Sequence, residues 1–258
     1  MGSCNSGGKG GGIGLGGAIL QPQADTNAQI DDTQVASAFS ASYDQFMAMS
    51  DDEKADFIDA NIKQGVPAHL AQNDFQRFIY NSGLNEKPQL VDDATLDTMN
   101  GTEIFRTVNN VYDSKNDISY SADQIAKQVT AGRVTRVSDN GGSVYGRGIY
   151  FADGYRDSVG YGNSAGDVKK TAVMRGKLNN NAKVINHSTA VRGVSSEIAS
   201  GSKLGKTLGK CDLYSQVSIY AMSKGYNIIS SGHGYFSVLN RNAITMSKDI
   251  KPMSYKWK

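Results

Sequence analysis

The sequence predicts an α+β protein with a helical N-terminal region and a flexible glycine-rich tail. Apolar residues recur at helical spacing up to about residue 84. From Pro88 onward, short apolar runs alternate with Gly, Asn and Asp, which is typical of strands and turns. Helical patterns occur among these runs, but strands and helices do not alternate regularly as they do in a doubly wound sheet. We therefore expect a tail over residues 1–30, a helical region over 31–87 and a mixed domain over 88–258.

Glycine dominates residues 2–17, and residues 21–32 are polar. A segment of this composition buries too little apolar surface to offset the loss of chain entropy, so we expect a flexible tether. The first six residues match the N-myristoylation pattern, with Gly2 and Ser6 at the required positions. Two interpretations are open, lipidation and a chance match in a Gly/Ser-rich tail, and the chance match is favoured because the pattern is short.

The helical region contains signals for three helices. Ser50 followed by Glu53 forms a capping box, which predicts a helix that ends near Gly65. A further helix is expected after Pro67 and ends at Gly83, a residue suited to a C-cap. The apolar faces of the three helices consist of Val35, Phe39, Tyr43 and Phe46; Ala55, Phe57, Ile58 and Ile62; and Leu70, Phe75, Phe78 and Ile79.

The mixed domain contains six candidate strands and three candidate helices. The strands are expected at Glu103–Val108, Gly148–Ala152, Thr171–Leu178, Lys183–Ile185, Asn227–Ser230 and Tyr235–Leu239. The helices are expected at Ser121–Ala131, Tyr155–Tyr161 and Asp212–Lys224. We expect a solvated loop around Lys203, Lys206 and Lys210.

The composition excludes several functional classes. With 39% hydrophobic and 20% charged residues, the 258-residue chain can form a core, and no apolar run is long enough to span a membrane. A net charge of +2 gives no strong nucleic-acid signal. Cys4 and Cys211 are read as reduced thiols, and the three histidines are too far apart in sequence for a zinc site.

The segment from Gly146 to Gly162 has the residue types of a pocket for a flat ring. Its glycines allow close approach of the backbone, and Tyr150 and Tyr161 are candidate aromatic walls. Ser158 shares a helix face with Tyr161 and offers a hydroxyl group between those walls. A planar ring with an amide group, such as nicotinamide, suits this arrangement. The alternative, a glycine-flanked aromatic strand that is only core, is favoured when the segment is considered alone.

The same segment resembles, over seventeen positions and without a gap, the nicotinamide-pocket motif of poly(ADP-ribose) polymerase-like ADP-ribosyltransferases. The resemblance implies that the two tyrosines enclose nicotinamide and that the serine binds its carboxamide. It implies NAD as substrate and a split antiparallel sheet with NAD between the two halves. The matching positions are Gly146, Gly148, Ile149, Tyr150, Phe151, Ala152, Ser158 and Tyr161.

Arg106, near the end of an apolar strand that precedes the pocket motif, resembles the arginine of the family's arginine class. The resemblance implies that Arg106 anchors the NAD phosphate or ribose by charge-assisted hydrogen bonds. It also implies that the backbone of Thr107 meets the nicotinamide carboxamide. The alternative is a surface arginine at a strand end.

The final strands resemble the closing segment of the family, but a glutamate is missing. The family places Glu immediately before the last aromatic strand, where its carboxylate binds the ribose, whereas this chain has Gly234 after His233. Three interpretations are open: NAD binding without turnover, weak transfer assisted by the substrate's carboxylate, or a carboxylate such as Glu103 or Glu197 supplied from elsewhere. His233 is a less favoured substitute base.

Taken together, the resemblance implies a pentosyl-transferring glycosyltransferase. It would release nicotinamide from NAD and pass ADP-ribose to a macromolecule, expected to be a protein, or to water. Residues 81–88 are similar to a segment of ADP-ribosyltransferases encoded by bacteriophages, which implies a site of action in the bacterial host cytoplasm or in the virion. The alternative is a catalytically inactive virion protein that joins the phage particle through its N-terminal region. We expect no membrane partner.

Overall fold

A nine-stranded mixed sheet forms the centre of the described part of the chain. The computed structural model describes residues 40–67, 73–84, 86–113, 118–132, 143–162 and 171–255. The tail, the N-myristoylation pattern, Val35, Phe39, Leu70 and Cys4 lie outside these ranges. Within the ranges, the helices are α1 (Tyr43–Ala48), α2 (Asp51–Lys63), α3 (Asp74–Ser82), α4 (Asp93–Thr98), α5 (Ala122–Thr130), α6 (Tyr155–Gly162), α7 (His187–Ser200), α8 (Lys203–Leu208) and α9 (Leu213–Ser223).

The strands confirm the prediction that helices and strands are mixed. They are β1 (Gln89–Val91), β2 (Glu103–Asn109), β3 (Val111–Asp113), β4 (Ile118–Tyr120), β5 (Ile149–Ala152), β6 (Thr171–Leu178), β7 (Val184–Asn186), β8 (Ile228–Ser230), β9 (Tyr235–Val238), β10 (Ile244–Ser247) and β11 (Lys251–Pro252). The sheet order is β1-β10-β6-β2-β5-β9-β8-β7, β11 pairs with β6, and β3 and β4 form a separate hairpin.

Two strand pairs differ from the expected antiparallel arrangement. β1 runs parallel to β10, and β7 runs parallel to β8, whereas the other pairs are antiparallel. Parallel neighbours require a long crossover connection, and α7, α8 and α9 supply it between β7 and β8. The sheet is therefore mixed, with its parallel pairs at the two edges.

Strands β2 and β5 meet at a single position in the middle of the sheet. β2 pairs with β6 over its full length, from Glu103 to Asn109. Its other edge pairs with β5 only where Phe105 faces Ala152. β5 in turn pairs with β9 along its full length. The sheet thus consists of two well-bonded halves that join at one residue pair and diverge on either side of it, and we call the divergence beyond Phe105 the fork.

The N-terminal helices cover one half of this sheet. Phe46, Ile58 and Phe78 from α1, α2 and α3 share one hydrophobic cluster with residues of α7, α8, α9, β7 and β8. The predicted capping box is confirmed, because Ser50 N–H donates to the Glu53 carboxylate at 2.8 Å and Glu53 N–H donates to the Ser50 hydroxyl at 3.3 Å. This layer is held by burial of aromatic side chains, the main favourable term in folding.

The lysine-rich segment is helical, which corrects the expectation of a solvated loop. Lys203 begins α8 and forms an ion pair with Asp56 of α2 at 2.6 Å. Lys210 follows α8 and pairs with Asp59 at 3.5 Å. Ser202 caps α8 by accepting a hydrogen bond from Gly205 N–H, a signal within the sequence that favours a helix start. Among the described helices, none combines the length and apolar character needed to cross a bilayer.

Candidate functional site

The residues that the sequence assigned to a pocket meet at the fork. Arg106 and Thr107 follow Phe105 on β2, and Tyr150 lies on β5, two residues before Ala152. Ser158 lies on α6, the helix that follows β5 and packs against β2. Two segments about fifty positions apart in sequence therefore contribute neighbouring side chains to one place.

Arg106 bridges the gap between the diverging strands. Its Nη1 donates a hydrogen bond of 2.8 Å to the carbonyl oxygen of Tyr150. Its Nε is inaccessible to solvent and has no hydrogen-bond partner among the described residues. Burial lowers the pKa of Arg106 to about 10. No carboxylate in the described ranges pairs with it, so the side chain presents unused donors and an uncompensated positive charge.

A second arginine near Arg106 was not assigned a role from the sequence. Arg241 is 3% exposed and donates from Nη1 to the carbonyl oxygen of Val129 at 2.7 Å. Burial and the positive charge of Arg106 lower the pKa of Arg241 to about 9. Because the charge of Arg106 contributes to this lowering, the two guanidinium groups lie within electrostatic range of each other. The sequence around Arg241, a turn after a buried strand, contains nothing that predicts its nearness to Arg106.

Thr107 and Ser158 form a direct contact between β2 and α6. Their hydroxyl oxygens are 2.9 Å apart, a hydrogen bond in which either atom can be the donor. Ser158 is 4% exposed, so its hydroxyl group depends on this contact rather than on water. A pair of adjacent hydroxyl groups offers both a donor and an acceptor, which is what a carboxamide requires.

Tyr150 is fixed by the loop that precedes its own strand. Its hydroxyl group accepts a hydrogen bond from Tyr145 N–H and donates one to the Gly146 carbonyl oxygen, both at 2.8 Å. Burial is the main reason why its pKa lies well above the usual value. The phenol is therefore neutral at physiological pH, and its hydroxyl group is held by two consecutive residues of the loop.

The ring of Tyr150 belongs to a small aromatic cluster. The ring centroids of Tyr145 and Tyr150 are 6.5 Å apart. The His187 ring packs edge-to-face against Tyr145, with a centroid distance of 5.3 Å. Tyr161, the other expected aromatic wall, lies on α6. Its side chain falls outside the described part of the protein, so the expected two-tyrosine enclosure stays a prediction.

Three other residues predicted to bind NAD are buried. Phe151 and Ala152 are 2% and 3% exposed and belong to the core of the sheet. Gly148 N–H donates to the Ser237 hydroxyl at 3.0 Å, and a Cβ at Gly148 would lie 2.5 Å from that oxygen. The glycine thus permits close approach of β5 to β9. A contact between these three residues and a ligand would have to involve their backbone.

Gly234, where the resemblance places a glutamate, lies against Asp153. Asp153 N–H donates to the Gly234 carbonyl oxygen at 2.8 Å, and Gly234 has a φ of 80°. The two other carboxylates considered from the sequence have partners elsewhere: Glu103 pairs with Arg175, and Glu197 accepts from the Ser202 hydroxyl at 2.6 Å. Within the described residues, no cluster of His, Cys, Asp or Glu side chains could hold a metal ion.

No family model, curated protein or solved structure matches this chain.

Proposed function

We propose that the protein binds NAD at the fork and transfers its ADP-ribose group to a macromolecular acceptor, with release of nicotinamide. The observation that carries the proposal is the convergence of the two motifs. Arg106 of β2 is hydrogen-bonded to Tyr150 of β5, and Thr107 of β2 is hydrogen-bonded to Ser158 of α6. The sequence resemblance implies contacts with NAD for all four residues, for Thr107 through its backbone.

The charge at the fork favours a diphosphate ligand. Burial lowers the pKa of Arg106, and an anion would offset the desolvation penalty of its guanidinium group. The diphosphate of NAD carries two negative charges, and its oxygens can accept hydrogen bonds from the planar set of N–H donors of an arginine.

The polar and aromatic groups at the fork favour nicotinamide as the leaving group. The Thr107 and Ser158 hydroxyl groups can accept from and donate to its carboxamide. Tyr150 supplies an uncharged ring with a fixed orientation, suited to stacking. Such contacts hold the pyridinium ring in one orientation while its bond to the ribose breaks, which lowers the barrier by positioning.

A protein side chain or water would then attack the ribose C1′. Transfer to a protein produces a labelled acceptor, and transfer to water produces free ADP-ribose. We propose a protein acceptor in a bacterial host or in a phage particle, on the basis of the sequence resemblance alone.

One observation favours a second function, NAD binding without turnover in a virion-associated protein. Gly234 leaves the expected glutamate position without a carboxylate of its own. A site that retains the arginine and the hydroxyl pair but cannot stabilise positive charge on the ribose would bind NAD and leave it intact.

The test combines calorimetry with NAD and chromatographic detection of nicotinamide after incubation with bacterial lysate. Arg106→Lys keeps the positive charge but removes the planar donor set, so we expect NAD affinity to fall about thirtyfold to a hundredfold, as for loss of a bidentate charge-assisted contact. Arg192→Lys, at an exposed position of α7, is the matched control and should bind as the wild type does. The proposal is wrong if the wild type binds no NAD, and binding without nicotinamide release would favour the second function.

A further inference from the structure

Breaking the bond between nicotinamide and ribose requires a negative group that neither arginine supplies. Positive charge develops on C1′ and the ring oxygen as the bond breaks, and carboxylates stabilise such oxocarbenium-like states. The guanidinium group of Arg106 at the fork has the opposite sign and suits the diphosphate. If the protein turns over NAD, a carboxylate must therefore approach the ribose from another residue.

The strand register brings Asp153 next to Gly234. β5 and β9 are antiparallel, with Ala152 opposite Tyr235, so the next residues outward are Asp153 and Gly234. Their backbones are joined by the hydrogen bond from Asp153 N–H to the Gly234 carbonyl oxygen. Asp153 directly follows the strand that carries Tyr150 and precedes the helix that carries Ser158.

The Asp153 carboxylate lies where a side chain at position 234 would begin. A Cβ built on Gly234 would lie 2.5 Å from Asp153 Oδ1 and 2.9 Å from Oδ2, closer than real Cβ contacts. The φ of 80° at Gly234 also disfavours a larger residue. A glutamate at position 234 and the observed Asp153 conformation exclude each other. The carboxylate next to Gly234 therefore belongs to Asp153, the residue that directly follows β5, and not to a residue that precedes β9.

This carboxylate is also available to a ligand. Asp153 is exposed, and its carboxylate has no hydrogen bond or ion pair to any described residue. The alternatives named from the sequence are engaged, since Glu103 pairs with Arg175 and Glu197 with Ser202 and Lys224.

We propose that Asp153 replaces the missing glutamate and is the catalytic carboxylate that stabilises the ribose during nicotinamide departure; this inference rests on the proposed function. The bond between C1′ and the pyridinium nitrogen breaks, and its electron pair leaves with nicotinamide, which becomes neutral. Asp153 stabilises the positive charge on the ribose. The acceptor oxygen or water forms the new bond to C1′ and loses its proton to solvent or to the carboxylate.

The experiment compares NAD affinity, nicotinamide release and thermal unfolding for the wild type and three variants. Asp153→Asn keeps the size of the side chain and removes its charge, so we expect turnover to fall at least a hundredfold while NAD affinity changes less than threefold. Asp153→Glu keeps the carboxylate on a side chain that is one methylene longer, so its turnover should lie between those of Asp153→Asn and the wild type. Asp157→Asn, at an exposed position of α6, the helix that follows Asp153, is the matched control and should keep wild-type turnover.

The outcomes separate the two proposals. If the wild type releases nicotinamide and Asp153→Asn releases it equally fast, the role of Asp153 is wrong and the proposed function stands. The role is also wrong if Asp157→Asn loses as much turnover, or if Asp153→Asn loses affinity and keeps kcat. If the wild type neither binds nor cleaves NAD, the proposed function fails and this inference fails with it. A midpoint of thermal unfolding within 2 °C of the wild type, the effect of about 0.5–1 kcal/mol in a chain of this size, shows that a variant is folded.

Discussion

The hydroxyl groups of Thr107 and Ser158 form a 2.9 Å hydrogen bond between a strand and a helix that the sequence separates by fifty-one positions. The contact joins β2 to α6 beside the fork. Together with the hydrogen bond from Arg106 to the Tyr150 carbonyl oxygen, it links these two segments through polar groups.

A double-mutant cycle tests whether these hydroxyl groups act together on NAD. Thr107→Val and Ser158→Ala each remove one hydroxyl and leave the other without its partner, so we expect each to weaken NAD binding about tenfold, the effect of about 1.4 kcal/mol. The double variant should lose less than the product of the two single losses, because the groups share one function. Calorimetry with NAD measures all four proteins.

Ser195→Ala on α7 is the control for this cycle, because its exposed hydroxyl group bonds only its own helix in the described structure. Wild-type affinity in Ser158→Ala would contradict the assignment of this serine to the ligand site.

A pair of glycine substitutions tests the packing of the pocket motif. A methyl group at Gly148 would lie 2.5 Å from the Ser237 hydroxyl oxygen and 2.6 Å from the Val238 carbonyl oxygen, so Gly148→Ala should lower the free energy of unfolding by about 1–3 kcal/mol. Gly160→Ala on α6 meets nothing within 4 Å and should be neutral or stabilising by about 0.5–1 kcal/mol. Urea unfolding of both variants measures the difference. Equal stability of the two would mean that β5 and β9 are not in close contact.

Much of the mixed domain could be predicted because its strands are bounded by glycine and polar turns. Thr171–Leu178 was predicted with the bounds that β6 has, and Glu103–Val108 differs from β2 by one residue. The long helix α7 was missed. Its apolar residues are few and it begins directly after β7, so neither periodicity nor a connecting loop separates the two elements.

The site was predictable only where its residues lie within one short motif. Arg106, Tyr150 and Ser158 come from segments whose local patterns could be recognised. The nearness of Arg241 to Arg106 and of Asp153 to Gly234 depends on the strand register, which no short segment determines. The sequence therefore indicated the missing glutamate without indicating which residue occupies its place.

The partly buried imidazole of His187 predicts a pH dependence of stability. Burial lowers its pKa below the ordinary value of about 6.5. Between the two pKa values the unfolded chain binds a proton that the folded chain does not, so stability falls as the pH is lowered through 6.5 and levels off below the folded-state pKa. Thermal unfolding of the wild type and His187→Gln from pH 8 to pH 5 measures this.

His187→Gln should lose part of the decrease below pH 6.5, while its stability at pH 8 stays close to that of the wild type apart from the lost edge contact with Tyr145. Parallel pH profiles for the two proteins would show that His187 titrates alike in the folded and unfolded chain. His233→Gln, at an exposed loop position, is the matched control.

Phe78 of α3 tests whether the N-terminal helices and the sheet unfold together. Its side chain is fully buried, packs against the rings of Phe46 and Phe57, and belongs to the cluster that includes Ile229 of β8. Phe78→Ala leaves a cavity, so the free energy of unfolding should fall by about 3–5 kcal/mol, a large share of the stability of a single domain. Urea unfolding followed by near-UV and far-UV circular dichroism measures this loss.

Because the helices and the sheet share this cluster, the two signals should shift together in a single transition. Leu213→Ala is the control, since Leu213 is 67% exposed and its truncation opens no cavity, so stability should change by less than about 0.5 kcal/mol. Separate transitions, with only one shifted by Phe78→Ala, would mean that residues 31–87 unfold independently. A single shifted transition means that residues 88–258 depend on the helical layer, so a chain truncated to residues 88–258 should lose its fold and its NAD binding.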